Sequence, residues 1–131
     1  MRLWHEKLIP VLPRQQLLGQ HRECCALRGN GWGKKHSIVN YVFNYSPYRL
    51  YLYHQHIMDE MKERGYHVDS LWEDPYYRGK ISEPHSSETL YMHDHRYSIH
   101  EFPFYPEHNE AYLQTCLENL HEKGIVVDSN E

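Results

Sequence analysis

Apolar residues recur along the chain at helical spacing in three places and lose that rhythm between them. Leu50, His54, Ile57, Met58 and Met61 follow one face of a segment that Ser46 can cap, Pro47 can start and Gly65 can end. An earlier stretch runs from Pro13 or Arg14 to Leu27, with Leu17, His21, Cys24 and Arg28 on one stripe and Leu18 and Cys25 beside it. Gly29 follows, where a helix end needs left-handed backbone. A third helix is predicted to begin between Pro106 and Asn109, to carry Tyr112, Leu113, Cys116, Leu117 and Leu120, and to close at Gly124. The segment HEKLIPVLP, with two prolines, reads as extended or loosely turned. SIVNYVFNY is ambiguous between a strand and a buried helix, and residues 69–104 show no sustained periodicity. The helix exits KERGYHVD and HEKGIVVD echo each other, as two similar helix ends rather than a repeat. The pattern predicts an all-α compact single domain over residues 1–131, with about three main helices and long irregular connections.

A chain of 131 residues supports one hydrophobic core. Twelve histidines and twelve tyrosines make that core rich in aromatic and amphipathic side chains. No apolar run approaches the roughly 18 residues that span a bilayer, and MRLWHEK is too polar for a secretory signal. The expected address is cytoplasmic, with no membrane partner. Cys24 and Cys25 are adjacent, which suits neither a disulfide framework nor a spaced metal motif, so these two and Cys116 are read as reduced core residues.

Net charge is −4, but it is unevenly distributed. Residues 1–50 hold eight bases against two acids, a net of +6, and residues 51–131 hold six bases against sixteen acids, a net of −10. Such polarity fits a polyanion-binding face on an acidic protein; a chance spread of solvated charges is the alternative. The two acids of the basic half are Glu6 and Glu23. On the first helix Glu23 shares a face with Gly19 and Ala26, so another molecule can approach its carboxylate closely, unless a neighbouring element packs there. Beyond it, GNGWGKKH presents Lys34, Lys35 and His36 from a glycine-rich loop whose spacing is not that of a phosphate-binding P-loop.

The N-terminal sequence, QQLLGQHRE with Arg22 and Glu23, the GKKH run, and FNYSPYRL through KERGYHV together resemble the pyrimidine-dimer DNA glycosylase family of the phage endonuclease V type. Weaker similarity continues at YYRGK. The resemblance implies a compact helical repair enzyme that cuts the glycosidic bond of a damaged pyrimidine and nicks the strand at the abasic site; double-stranded DNA is the expected partner, no cofactor is expected, and the sequence does not fix the oligomeric state, for which a monomer is the expectation. It implies an N-terminal α-amine as nucleophile, which forms a Schiff base, with Arg22 and Glu23 matching the family's helix arginine and glutamate. Arg2 is too large for the initiator methionine to be trimmed, so the amine is assigned to Met1. An α-amino group titrates near about 7.7–8.0 and is partly unprotonated at neutral pH. The family's basic residue three positions after the glutamate is Ala26 here, and its aromatic, basic tail is replaced by VVDSNE. Phosphate contacts are therefore expected from Arg2, Arg28, Lys34, Lys35 and His36, with Trp32 either stacking against a base or packed on the protein surface.

Two other readings stay open. One is a non-catalytic DNA-binding module on the same scaffold; the other is a metal-dependent enzyme using His93 and His95, with His85, Asp94, His100 and Glu101 nearby, although no H-E-x-x-H spacing occurs. His54 lies on the core stripe, either as a hydrogen-bonded histidine or as a ligand. Glu23 has its own rival role, a structural salt bridge to Arg22 or Arg28. The site is read as holding no metal, with Met1, Arg22 and Glu23 as catalytic residues.

Overall fold

The Ser46 hydroxyl accepts the Arg49 backbone N–H at 3.1 Å and Pro47 fills the first turn, so α2 (Pro47–Glu63) starts at its capping residues. The computed structural model describes residues 2–34, 38–94 and 104–127. Its helices are α1 (Arg14–Arg28), α2, a single turn α3 (Ser87–Leu90) and α4 (Glu110–Glu122), joined by 3-10 turns at Glu6–Val11, Asn40–Asn44 and Ser70–Glu73. No strand occurs among the described residues, and none of their helices is long and apolar enough to cross a membrane. The all-α architecture read from the sequence is the observed one.

α1 and α2 form the main packed pair. Between them and α4 lies a core of Leu17, Cys24 and Leu27 from α1, Leu50, Tyr53 and Ile57 from α2, and Cys116 and Leu120 from α4. Into this core runs the N-terminal segment, whose Leu3, Leu8, Ile9 and Leu12 are all buried. That segment is tighter than its prolines predicted: residues 6–11 form a 3-10 turn with Pro10 inside it. Pro10 has no N–H to give to the turn, and the carbonyls left open where the turn ends find another donor. The Arg64 guanidinium, at the end of α2, donates to Ile9, Pro10 and Leu12 carbonyls at 3.3, 3.1 and 2.7 Å. SIVNYVFNY resolves as a 3-10 turn over Asn40–Asn44 with Val39 and Val42 buried, while residues 69–94 carry only short elements, as expected.

The echo between the two helix exits is one capping geometry used twice. Tyr66 and Ile125 N–H bond back to Met61 and Leu120 carbonyls at 2.8 and 2.9 Å, with Gly65 and Gly124 left-handed at φ 84° and 80°. Gly29, by contrast, is not left-handed. Its φ is −94°, and its lack of a side chain is required by proximity instead, since a Cβ there would lie 2.6 Å from the Arg78 carbonyl oxygen. Arg78 completes the junction, donating to the Arg28 and Gly29 carbonyls at 3.0 and 2.8 Å. Gly29→Ala is expected to lower the free energy of unfolding by about 1–3 kcal/mol, the usual penalty for overpacking against backbone. Equilibrium denaturation checks it, and an unchanged midpoint would mean that the two backbones separate freely.

Candidate active site

The small-residue stripe on α1 faces outward. Ala26 is exposed, Gly19 is partly so, and outside the helix's own backbone the nearest atom to a Cβ at Gly19 would be Nη2 of Arg22, at 3.7 Å. Among the described residues nothing packs on Gly19 or Ala26, so Glu23, bordered by the N-terminal segment, stays approachable along the helix. The Glu23 carboxylate is half-buried on this face and borders a pocket of about 240 Å³ lined by Arg2, Trp4, Glu23, Ile38, Asn119 and Lys123. Four parts of the chain meet there: the N-terminal segment, α1, Ile38 of the connection that follows α1, and the end of α4.

The carboxylate is held at one oxygen by the side chain of Gln20, whose Nε2 donates to Oε2 at 2.9 Å. The same Nε2 donates to the Arg2 carbonyl at 2.9 Å, and Gln20 Oε1 accepts the Trp4 N–H at 2.6 Å. Behind it the Tyr53 hydroxyl lies 2.9 Å from Gln20 Oε1 and 2.6 Å from the Trp4 carbonyl. The Arg2 backbone N–H is hydrogen-bonded to the Glu23 carboxylate as well. Burial raises the affinity of Glu23 for a proton, and the hydrogen bonds and nearby Arg22 only partly oppose it. A carboxyl group able to exchange a proton nearer neutrality follows.

Among the described residues, Glu23 forms no salt bridge to Arg22 or Arg28, which removes the structural ion-pair alternative. Arg22 is exposed and Arg2 is partly so, its guanidinium 6.0 Å above the Tyr112 ring. Lys34 is exposed at the end of the glycine-rich loop. Met1, Lys35 and His36, and also His95, His100 and Glu101, lie outside the described residues.

The expectation that Arg28 contacts phosphate is corrected. It is 3 % exposed, and its guanidinium donates to the Trp72, Asp74 and Tyr77 carbonyls at 2.8, 2.8 and 3.2 Å while lying over the Tyr51 and Trp72 rings. A planar fork of five donors suits a loop that presents several carbonyls, which is why an arginine at the end of α1 is drawn inward. Trp32 takes its packed alternative, half-buried and edge-on to Phe43 with ring centroids 4.9 Å apart.

Arg28 also decides the character of His54. His21, Cys25 and His54 bring one ligand-type atom each within 4.8 Å of the others, a separation an ion could bridge. However, Arg28 Nη1 donates to His54 Nδ1 at 2.9 Å, and arginine cannot accept. The proton of neutral His54 therefore sits on Nε2, 2.8 Å from His21 Nδ1, which must accept it. That leaves the His21 proton on Nε2, 3.9 Å from the Cys25 sulfur. The nitrogen of His54 that would bind an ion carries the proton, so the group is a hydrogen-bond relay and His54 is the hydrogen-bonded core histidine. The three cysteines are free; Cys24 and Cys116 are buried, and burial pushes the half-buried Cys25 thiol up to about 11.

Sequence reading missed Gln20, Tyr53, Asn119 and Lys123. Gln20 left a signal, a polar residue in register with Leu17, Cys24 and Leu27. Lys123 in the last turn of a helix reads as a partner for the helix dipole, and nothing local brings it to α1.

Two outcomes follow from this interior. Arg28→Lys is expected to cost about 2–4 kcal/mol, because an ammonium cannot satisfy three carbonyls and an imidazole together, while the folded protein keeps its affinity for duplex DNA. Denaturation and binding measured on the same preparation check both halves, and lost affinity without lost stability would return Arg28 to the surface. Burial also holds His54 and His108 neutral, His54 well below 6.5 and His108 down to about 3. Both are depressed in the folded state, so their contribution is complete above pH 6.5 and is lost as pH falls below it, at a limiting slope of about 1.4 kcal/mol per pH unit for each. Denaturant unfolding at pH 7, 6 and 5 is expected to show falling stability; Glu6 and Glu23, raised by burial, oppose the trend only partly.

The sequence model of a family described as pyrimidine dimer DNA glycosylase matches residues 1–74, which contain the N-terminal segment, α1 and α2. No curated protein and no solved structure matches the chain.

Proposed function

The chain belongs to the pyrimidine dimer DNA glycosylase family, a DNA-repair family whose substrate is DNA, and from that premise we propose that it excises damaged pyrimidines and cleaves abasic sites through an amine at Met1 assisted by Glu23. The observation that carries this reading is the Gln20 amide, whose Nε2 donates at 2.9 Å both to Glu23 Oε2 and to the carbonyl of Arg2, the residue that follows Met1 in the sequence. That contact supports a reading in which a nucleophile on residue 1 works beside the Glu23 acid/base group at the pocket.

In the proposed reaction the amine nitrogen attacks C1′ of the deoxyribose while the glycosidic bond breaks and its electron pair leaves with the base, which takes up a proton. Ring opening gives an iminium between protein and sugar; loss of a C2′ proton then expels the 3′ phosphate and cuts the strand. Glu23 serves as the group that stabilises positive charge at C1′ and moves these protons. Arg2, Arg22 and Lys123 around the pocket, and Lys34 beyond it, supply cations for backbone phosphates on double-stranded DNA. The open Gly19–Glu23–Ala26 face lets the strand approach α1 closely.

Borohydride reduction of the protein on an abasic-site duplex is expected to give a covalent adduct, and acetylation of the N-terminal amine is expected to block it. Retained duplex binding with no adduct would leave a binding module in place of an enzyme. Glu23→Gln is expected to reduce strand cleavage at least about 100-fold, with duplex affinity kept or increased because a negative charge leaves a phosphate-facing surface; full activity would remove Glu23 from the chemistry. Lys34→Ala is expected to weaken binding and flatten its salt dependence by about one unit of slope, without changing adduct chemistry, which a binding titration at several salt concentrations measures.

A further inference from the structure

A glutamine in the middle of an amphipathic helix ordinarily points to water, yet Gln20 is 1 % exposed. Three of its four hydrogen-bonding capacities have a partner of their own, and the fourth, at Oε1, shares the single Tyr53 hydroxyl proton with the Trp4 carbonyl. Oε1 lies 2.6 Å from the Trp4 N–H nitrogen and 2.9 Å from the Tyr53 hydroxyl, while Nε2 lies 2.9 Å from both the Arg2 carbonyl and Glu23 Oε2. The amide has one possible orientation, because the Trp4 N–H needs an acceptor and the Arg2 carbonyl needs a donor. Once those two are satisfied, the remaining N–H is aimed at Glu23. Only a neutral amide of this length meets all these demands: glutamate would oppose an oxygen to two acceptors, and asparagine is one methylene short.

We infer that Gln20 is a positioning residue of the site, its amide holding the Glu23 carboxylate and the Arg2–Trp4 backbone at one fixed spacing, an inference that rests on the reading that Glu23 and residue 1 carry the reaction. Tyr53, reaching from α2, locks the amide from behind. Gln20 itself lines no part of the pocket and acts through the groups it holds. It also supplies a hydrogen bond to the charged form of Glu23, which restrains the upward pull of burial on that carboxyl group.

The test compares wild type, Gln20→Met and Tyr53→Phe in three measurements: the single-turnover rate of borohydride-trapped adduct on an abasic-site duplex as a function of pH, duplex affinity, and an NMR titration of the Glu23 carboxyl in the free protein. Gln20→Met keeps length and volume without the hydrogen bonds. It is expected to slow adduct formation by about 10- to 100-fold, the cost of a misplacement near 1 Å, with duplex affinity unchanged. Glu23 is expected to titrate at higher pH, and the acidic limb of the rate profile to move with it, which a merely structural glutamine would not cause. A folded Gln20→Met that forms adduct at the wild-type rate with Glu23 titrating in place would overturn the inference. Should that variant not fold, Tyr53→Phe decides: a loss of several-fold in adduct rate supports the positioning role, and an unchanged rate overturns it. If wild type itself forms no adduct, the proposed reaction fails, and the Glu23 titration alone then judges Gln20.

Discussion

The N-terminal segment of this protein runs through the core, and every polar group on its backbone must find a partner there. That requirement organises the rest. A buried extended stretch cannot satisfy itself as a helix does, and each orphaned group would cost on the order of 1–3 kcal/mol. The partners come from three helices: Gln20 of α1 serves Arg2 and Trp4, Tyr53 of α2 serves Trp4, Arg64 at the end of α2 serves Ile9, Pro10 and Leu12, and Tyr112 of α4 serves Leu3. Leu3, Leu8, Ile9 and Leu12 then contribute apolar burial from a segment that its sequence marks as loop. Residues 2–12 are thus tied down by hydrogen bonds from three helices, which a segment marked as loop does not ordinarily receive.

The same logic divides the basic residues into two populations. Arg28, Arg49 and Arg64 place their guanidinium groups on backbone carbonyls, and the first two are almost wholly buried. Arg2, Arg22 and Lys34 remain accessible, at the pocket, beside it and at the loop. A positive balance in the sequence overstates the positive surface, because arginine is chosen both for phosphate and for clusters of carbonyls, and the two uses look alike in one dimension. The electrostatic case for a DNA-binding face therefore rests on fewer residues than the charge count suggests, and of these Arg2 and Arg22 lie beside Glu23.

The three long helices were legible because each has its own local signals: Ser46 and Pro47 at the start of α2, Asn109 before α4, glycines at 65 and 124. Their neighbours were not. Arg28 sits on a stripe with Leu17 and Cys24, and nothing nearby says that the carbonyls of residues 72, 74 and 77 will surround it. The role of Gly29 was misread for a similar reason: at a helix end a glycine usually answers a local torsion, whereas here it answers the backbone of Arg78, some fifty positions away. Glu23 stood out because its helical neighbours at 19 and 26 are small and its surroundings basic, both visible locally. Gln20, which holds it, was passed over because its partners are backbone atoms in a segment read as irregular. What escaped the sequence is contact between distant segments, and the candidate site consists largely of such contacts.

The tuning of Glu23 and the folding of the N-terminal segment are consequently one event. The carboxylate is desolvated by the chain that lies over α1, and that chain is also what Gln20, Tyr53 and Tyr112 hold down. If the segment lifts, Glu23 regains water and ordinary acidity, the pocket loses the wall formed by Arg2 and Trp4, and a group carried at the chain's start moves away from the carboxylate. A nucleophile on a free terminus would normally have to be ordered at each turnover, at a cost in chain entropy. In the proposed reaction the hydrogen bonds that hold residues 2–4 during folding, and stabilise the core as well, would meet that ordering before DNA arrives.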